Sequence, residues 1–221
     1  MNISPSRTAF EEARPLSILP FPADRRRSTE LIDVPARRML HEAGSRADAL
    51  CRTVSGDVLV SMTTLRGDKA IVAILGPGDL VGLSIDGRYI CSEQALTPLT
   101  LRKLDSESAP DIHRQLLRQF KASLHRATAL TTLTALERLA DFFVLWAERQ
   151  VEDGRLPKEP HEDALDLHLP IQRGELANHL AMTGEHISRS LGELRQRCLI
   201  ETPNPTTIRI IDFEGLWGLC R

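Results

Sequence analysis

"LPIQRGELANHLAMTGEHISRSLGELRQRCLI", residues 169–200, decides how this chain is read. Over residues 173–181, Leu176, Ala177 and Leu180 fall at helical spacing, which predicts a short helix with one apolar side. Ala177 is small enough to let a second helix approach closely. Met182, Thr183 and Gly184 form a turn, and the Thr183 hydroxyl is placed to accept an unpaired backbone N–H at the head of the next helix. In that helix Ile187, Leu191 and Leu194 make the buried stripe, while Glu185, His186, Ser188, Arg189 and Gly192 fall on other faces. Two short helices around a tight turn, with apolar residues at these offsets, describe a helix-turn-helix.

The flanks support this. Downstream, "LIETPNPTTIRIID" (residues 199–212) alternates around a Pro-Asn-Pro turn and predicts a β-hairpin, the wing of a winged helix. Upstream, "EDGRLPKEPHEDA" (residues 152–164) is a Gly-, Pro- and charge-rich linker. Before it, Leu136, Leu139, Phe142, Phe143 and Trp146 mark an amphipathic helix. A longer one precedes that, with Ile112, Leu116, Leu117, Phe120, Leu124, Ala127 and Leu130 three or four residues apart and His113, Arg114, Arg118 and Lys121 opposite. A stripe of that length suits a helix that lies along another helix.

The texture of residues 34–104 is different. Glycines recur between short strand-like pieces, among them "DVLVSMTTL" (57–65), with Val58, Val60 and Met62 on one face, and "KAIVAIL" (69–75). A hairpin turn is expected at Gly67-Asp68 and a tight loop at "LGPGDLVG" (75–82). These signals predict an antiparallel sandwich or barrel. Residues 1–30, with "ADRRRSTE" at 23–30, read as a peripheral segment.

Composition sets limits. The 221 residues are 42% hydrophobic and 4% aromatic, so the core must be mainly aliphatic, and the formal charge is −2. Any nucleic-acid contact must therefore use a local basic face. No apolar run approaches the roughly 20 residues that cross a bilayer, and the Arg7 and Arg14 region carries no secretory signal. A cytoplasmic protein is expected. Cys51, Cys91, Cys198 and Cys220 are scattered and form no C-x-x-C pair, so no zinc site is suggested and the thiols are expected to be reduced, packed hydrophobes. For Cys198, beside the wing, a redox role is the competing idea.

On these motifs the chain resembles transcription regulators of the CRP/FNR superfamily over nearly all of its length beyond the first 30 or so residues. "LGPGDLVGL" (75–83) resembles the Pro-Gly-Asp turn of the family's β-roll, the long helix its dimerisation helix, "ERLADFFVLWAERQ" (137–150) the helix after it, and residues 169–194 its DNA-binding motif. Two departures stand out. Ala181 occupies the place where such motifs usually have Gly, and Gln172 the place of a Ser or Thr cap. The resemblance implies an α+β fold: a peripheral segment over 1–30, a β-roll over 31–110, a dimerisation helix and hinge over 111–150 and a winged helix-turn-helix over 151–221.

The sensor half departs from the cyclic-AMP-binding members. In "VGLSIDGRYICSEQA" (81–95), Leu83 follows Gly82 where those members have Glu, and Arg88 is followed by Tyr89 rather than Ser or Thr. Residues 1–50 contain no cysteine, unlike members with an N-terminal iron–sulfur cluster. His41 and His113 leave haem open, though a surface histidine is the plainer reading of each. The branch that fits is FixK-like, and no cofactor or metal is expected; a small-molecule- or haem-responsive regulator is the alternative. A cupin-type enzyme is the rival from another class. It needs clustered histidines on neighbouring strands, whereas no histidine lies between His41 and His113. A module whose helix-turn-helix is purely structural is the third possibility.

The resemblance implies roles for particular residues. Glu185, Ser188 and Arg189 would read base edges, and Arg173, Thr183 and His186 would position the protein on the phosphate backbone. Leu116, Leu117, Phe120 and Leu124 would form the homodimer contact. Promoter DNA, a second copy of the chain and RNA polymerase are the implied partners, with no membrane. The plainer reading of Glu185 and Arg189 is an i,i+4 surface ion pair worth about 0.2–0.5 kcal/mol.

Overall fold

The computed structural model describes residues 30–104, 109–156 and 164–220. The expected peripheral segment 1–30 lies outside the described residues but for Glu30, as does most of the second half of the expected linker.

The N-terminal half is built from short antiparallel strands: β1 (Leu31–Val34), β2 (Met39–His41), β3 (Cys51–Ser55), β4 (Val58–Thr63), β5 (Lys69–Leu75), β6 (Leu80–Val81), β7 (Ser84–Ile85), β8 (Arg88–Tyr89), β9 (Ser92–Ala95) and β10 (Leu99–Lys103). They form sheets ordered β1-β10-β3-β6 and β2-β9-β4-β5, with β7-β8 as a separate ribbon. Val58, Val60, Leu75, Val81, Ala95, Leu99 and Leu101 make one apolar cluster of this half. The turn at Gly67 closes the β4–β5 hairpin, with the Gly67 N–H donating to the Thr64 carbonyl at 2.9 Å. Gly82 stands where a Cβ would come within 2.5 Å of the Ala49 carbonyl oxygen and 3.3 Å of the Tyr89 ring.

Strand β4 does not follow the expected alternation. Val58, Leu59, Val60 and Ser61 are all buried, and Met62 is exposed. The reason is tertiary. Val58 and Val60 join the cluster between the sheets, while Leu59, with Ile71 and Ile74, joins a second cluster shared with the helices that follow.

Two helices follow, α1 (Ala109–Thr132) and α2 (Ala135–Glu152), and it is α2 that contributes to the second cluster. Thr134 separates them through a reciprocal cap: its N–H donates to Glu137 Oε2 at 2.7 Å and its hydroxyl accepts from the Glu137 N–H at 3.4 Å. Helix α2 buries Leu139, Ala140, Phe142, Phe143, Trp146 and Ala147. By contrast, α1 leaves its apolar stripe bare, with Phe120 61% and Leu124 53% exposed.

The C-terminal half comprises β11 (Leu165–His168), α3 (Arg173–His179), α4 (Gly184–Gln196), β12 (Ile200–Asn204), β13 (Thr207–Ile210) and α5 (Phe213–Gly218). The expected wing is β12–β13, and β11 extends it to a sheet ordered β11-β13-β12. Leu165, Leu167, Ile187, Leu194, Ile200, Ile210 and Leu216 pack with α2 into the second cluster. The Trp146 indole N–H and the Gln150 amide both donate to the His168 carbonyl at 2.9 Å, tying α2 to β11.

Four side chains depart from expectation. Cys198 is exposed rather than packed, because a backbone φ of 57° just past α4 turns it outward, and Cys91 and Cys220 are half-buried. His41 is not a surface residue: its ring stacks on Tyr89 at 3.6 Å and its Nε2 lies 3.2 Å from Glu93, without hydrogen-bond alignment.

Candidate nucleic-acid interface

The site is built on α3 and α4. Helix α3 begins at Arg173, and Glu175 reaches back to accept the Gln172 N–H at 2.8 Å. The absence of a Ser or Thr at Gln172 is thus offset from inside the helix. At its other end Leu180 and Ala181 carry the chain round, and Ala181 adopts φ 51°, the left-handed conformation that its place in the motif suggested. Arg138 of α2 donates to the Leu180 carbonyl at 3.0 Å, satisfying an acceptor the helix end leaves open.

Thr183 caps α4 as expected, its hydroxyl accepting from the His186 N–H at 3.2 Å. Ile187, Leu191 and Leu194 are buried and hold α4 against α2 and α3. The opposite face is open. Glu185 and Arg189 form an ion pair at 3.2 Å with side chains 82% and 67% exposed. The Ser188 hydroxyl donates to the Gly184 carbonyl at 2.9 Å, which leaves its lone pairs free to accept. His186 and Arg173 are exposed too, the latter at the head of α3.

This brings Glu185, Ser188 and Arg189 onto one accessible turn of α4. It also shows what sequence reasoning missed. Arg189, Gly192, Glu193, Gln196 and Arg197 line one open depression along the same helix. Their spacing from Arg189 is the signal that would have found Gln196 and Arg197, which lie about two turns on. Arg197 is ion-paired to Glu193, and Arg195 donates to the Thr202 hydroxyl on the wing at 3.4 Å. The other expected group, Leu116, Leu117, Phe120 and Leu124, lies apart from this turn on α1, each member exposed.

Comparison with known proteins gives this geometry a context. A family model described as a Crp-like helix-turn-helix domain matches residues 137–219. The nitrogen fixation regulation protein FixK of Rhizobium meliloti is 27% identical over 187 residues, covering 83% of each chain. Residues 137–219 thus match a Crp-like helix-turn-helix domain, and the chain is similar over most of its length to transcription regulators of the CRP/FNR superfamily.

The similarity is to the FixK-like branch of that superfamily. The fumarate and nitrate reduction regulatory protein of Escherichia coli is 29% identical over 170 residues, 71% of this chain and 65% of that one. The structure of FixK2 from Bradyrhizobium japonicum superposes with a TM-score of 0.72 at 19% identity, covering 87% of this chain and 97% of that one. TTHA1359, a CRP/FNR-family regulator from Thermus thermophilus, gives 0.68 at 20% identity, covering 86% and 98%. These CRP/FNR relatives are transcription regulators rather than enzymes. Among the described residues no group of His, Cys, Asp or Glu is placed to hold a metal, and no helix is long and apolar enough to cross a membrane.

Proposed function

We propose that this CRP/FNR regulator acts as a homodimer that sets α4 of each subunit into the major groove of duplex DNA. The observation that carries the reading is the exposed Glu185-x-x-Ser188-Arg189 turn at the head of a helix whose other side is buried. Residues at the N-terminal end of such a helix meet base edges. Arg189 donates two bonds to guanine O6 and N7, Glu185 accepts from cytosine N4, and Ser188 meets an acceptor or a thymine methyl. Arg173, Thr183 and His186 hold phosphate and set register.

The Glu-x-x-Ser-Arg pattern resembles that with which FNR-type proteins read TTGAT half-sites, so the proposed target is a TTGAT-N4-ATCAA-like palindrome. His186 replaces the Thr usual there and bears on the outer bases. The dimer forms through Leu116, Leu117, Phe120 and Leu124 of α1. We further propose a cytoplasmic activator that contacts RNA polymerase, needs no cofactor, and controls microaerobic or nitrogen metabolism as the names of its relatives suggest. The domain limits are those of the sequence reading, 31–110, 111–150 and 151–221. Selection of bound duplexes from a random pool, repeated at two salt concentrations, tests the reading. A salt-dependent palindrome of this type is expected, and recovery of unselected sequence would overturn it.

A further inference from the structure

In a dimer of this kind the two recognition helices must match half-sites a fixed distance apart. Each added spacer base pair moves the second half-site by about 3.4 Å along the axis and by about a tenth of a turn. The stripe on α1 sets the dimer axis, so the pose of α3–α4 relative to α1 fixes which spacing fits. The covalent route between them runs through α2 and the loop after it. A second, non-covalent route is present.

Strand β5 is the open edge of the sheet β2-β9-β4-β5. Edge strands present unpaired backbone groups, and here α3 takes them up. The Ile71 N–H donates to Asn178 Oδ1 at 2.7 Å, and Asn178 Nδ2 donates to the Lys69 carbonyl at 2.9 Å. One side-chain amide thus pairs with the strand as a neighbouring strand would. Arg126 of α1 completes the junction: its Nη2 donates to the Ile71 carbonyl at 3.1 Å and to the His179 carbonyl at 2.8 Å. A single guanidinium therefore touches the dimerisation helix, the sheet edge and the end of α3. At the other end of α3, Arg37 donates to Glu175 at 2.9 Å and to the Pro170 carbonyl at 3.0 Å.

These ties use the C-terminal end and one flank of α3. They leave the Glu185–Arg189 turn of α4 open, so docking on β5 and reading DNA are compatible. We propose that Asn178 and Arg126 are positioning residues that clasp α3 to the edge of β5 and thereby set the half-site spacing the dimer accepts, without touching a base. The proposal rests on the dimeric DNA-reading role above.

The test uses the full chain and a duplex library in which two selected half-sites are separated by spacers of varied length. Wild type is compared with Asn178→Ala and Arg126→Gln. Asn178 is exposed and Ala is tolerated in helices, so the first variant is expected to fold and dimerise, which melting and sedimentation check; it alone decides the matter if the second does not fold. The wild type selects one spacer. In the variants the preference for that spacer over its neighbours falls by about tenfold, the size set by losing one or two net hydrogen bonds per subunit, while the bases selected within each half-site stay the same. Unchanged spacer selectivity overturns the clasp and leaves the DNA-binding reading intact. Tighter binding at unchanged spacing also overturns it, because the clasp would then restrain binding rather than set geometry. A wild type that selects no paired half-sites overturns the dimeric reading and the clasp with it.

Discussion

Arg155 Nη1 lies 3.1 Å from both carboxylate oxygens of Asp57, joining the loop after α2 to the turn before β4. Asp57 is buried, and burial pushes its carboxyl above the ordinary range although Arg155 pulls it down. Arg155 is less confined: it also bonds Asp153 at 2.7 Å and sits over the Trp146 ring. The two halves of the pair are therefore not equivalent. Removing Arg155 leaves a buried carboxylate without its partner, whereas removing the charge on Asp57 leaves an arginine that keeps Asp153.

Arg155→Ala is accordingly expected to cost about 3–5 kcal/mol of stability, as for a broken buried pair. Asp57→Asn, which still accepts a hydrogen bond, is expected to cost about 1 kcal/mol. Denaturant melts of the two variants decide this, and equal losses would contradict the asymmetry.

His179 gives a pH dependence. Its ring is buried at the end of α3, edge-on to Phe142 at 5.8 Å. Burial, with the positive charge of Arg126 beside it, lowers its pKa to about 4. The folded value lies below the ordinary one of about 6.5, so the unfolded chain binds the proton more readily. Stability is complete above pH 6.5 and falls as the pH drops towards 4, by about 1.4 kcal/mol per unit inside that window. His179→Gln removes this slope. If its urea midpoints track those of wild type from pH 7 to pH 4.5, His179 is not the group responsible.

The bare stripe on α1 predicts association. Leu117 and Leu124 are more than half exposed, at 55% and 53%, and flank the still more exposed Phe120. Apolar exposure of this kind on a long helix marks a contact with a partner. Leu124→Glu is expected to convert a dimer to a monomer in sedimentation while the far-ultraviolet spectrum keeps its helical content. A dimer that persists would place the subunit contact elsewhere.

The parts of this fold legible in the sequence are those specified by neighbours in the chain. The stripe of Ile187, Leu191 and Leu194, the Thr183 cap and the left-handed Ala181 all follow from spacing within a few residues or from the motif's own turn. What was not legible depends on distant partners. The outer face of Leu59 packs into a cluster with α2, which begins far along the chain at Ala135. Strand β11 has four residues and exists because β13 pairs with it across the whole helix-turn-helix. Asn178 reads as an ordinary polar helix position, and its bonds to Lys69 and Ile71 span 109 and 107 residues. His41 looked solvent-facing because Tyr89 and Glu93, which enclose it, come from the β8–β9 region.

Ala181 is a place where stability is open to improvement. A residue with a Cβ in the left-handed region costs about 1–2 kcal/mol, and Gly loses part of that advantage to its freer unfolded chain. Ala181→Gly at φ 51° is expected to raise stability by roughly 1 kcal/mol or less without altering DNA selection. A lowered melting temperature would show that the turn is strained by something other than its Cβ.

Variants at Arg189 and Arg173 test the proposed division between reading and holding DNA. Arg189 lies on the open face of α4 and is held in the free protein by Glu185 at 3.2 Å. An exposed i,i+4 pair is worth only about 0.2–0.5 kcal/mol, so opening it on DNA costs little beside a bidentate contact to guanine. Arg189→Ala is therefore expected to weaken binding by about 1–3 kcal/mol per half-site and to relax selection at the guanine. Arg173 stands at the head of α3, outside the Glu185–Arg189 turn. Its loss should weaken all sequences alike and flatten the dependence of binding on salt by about one unit. Binding selection with each variant, and titrations at several salt concentrations, distinguish the two. The same consensus from Arg189→Ala as from wild type would mean that Arg189 reads no base, and that its pairing with Glu185 is its whole role.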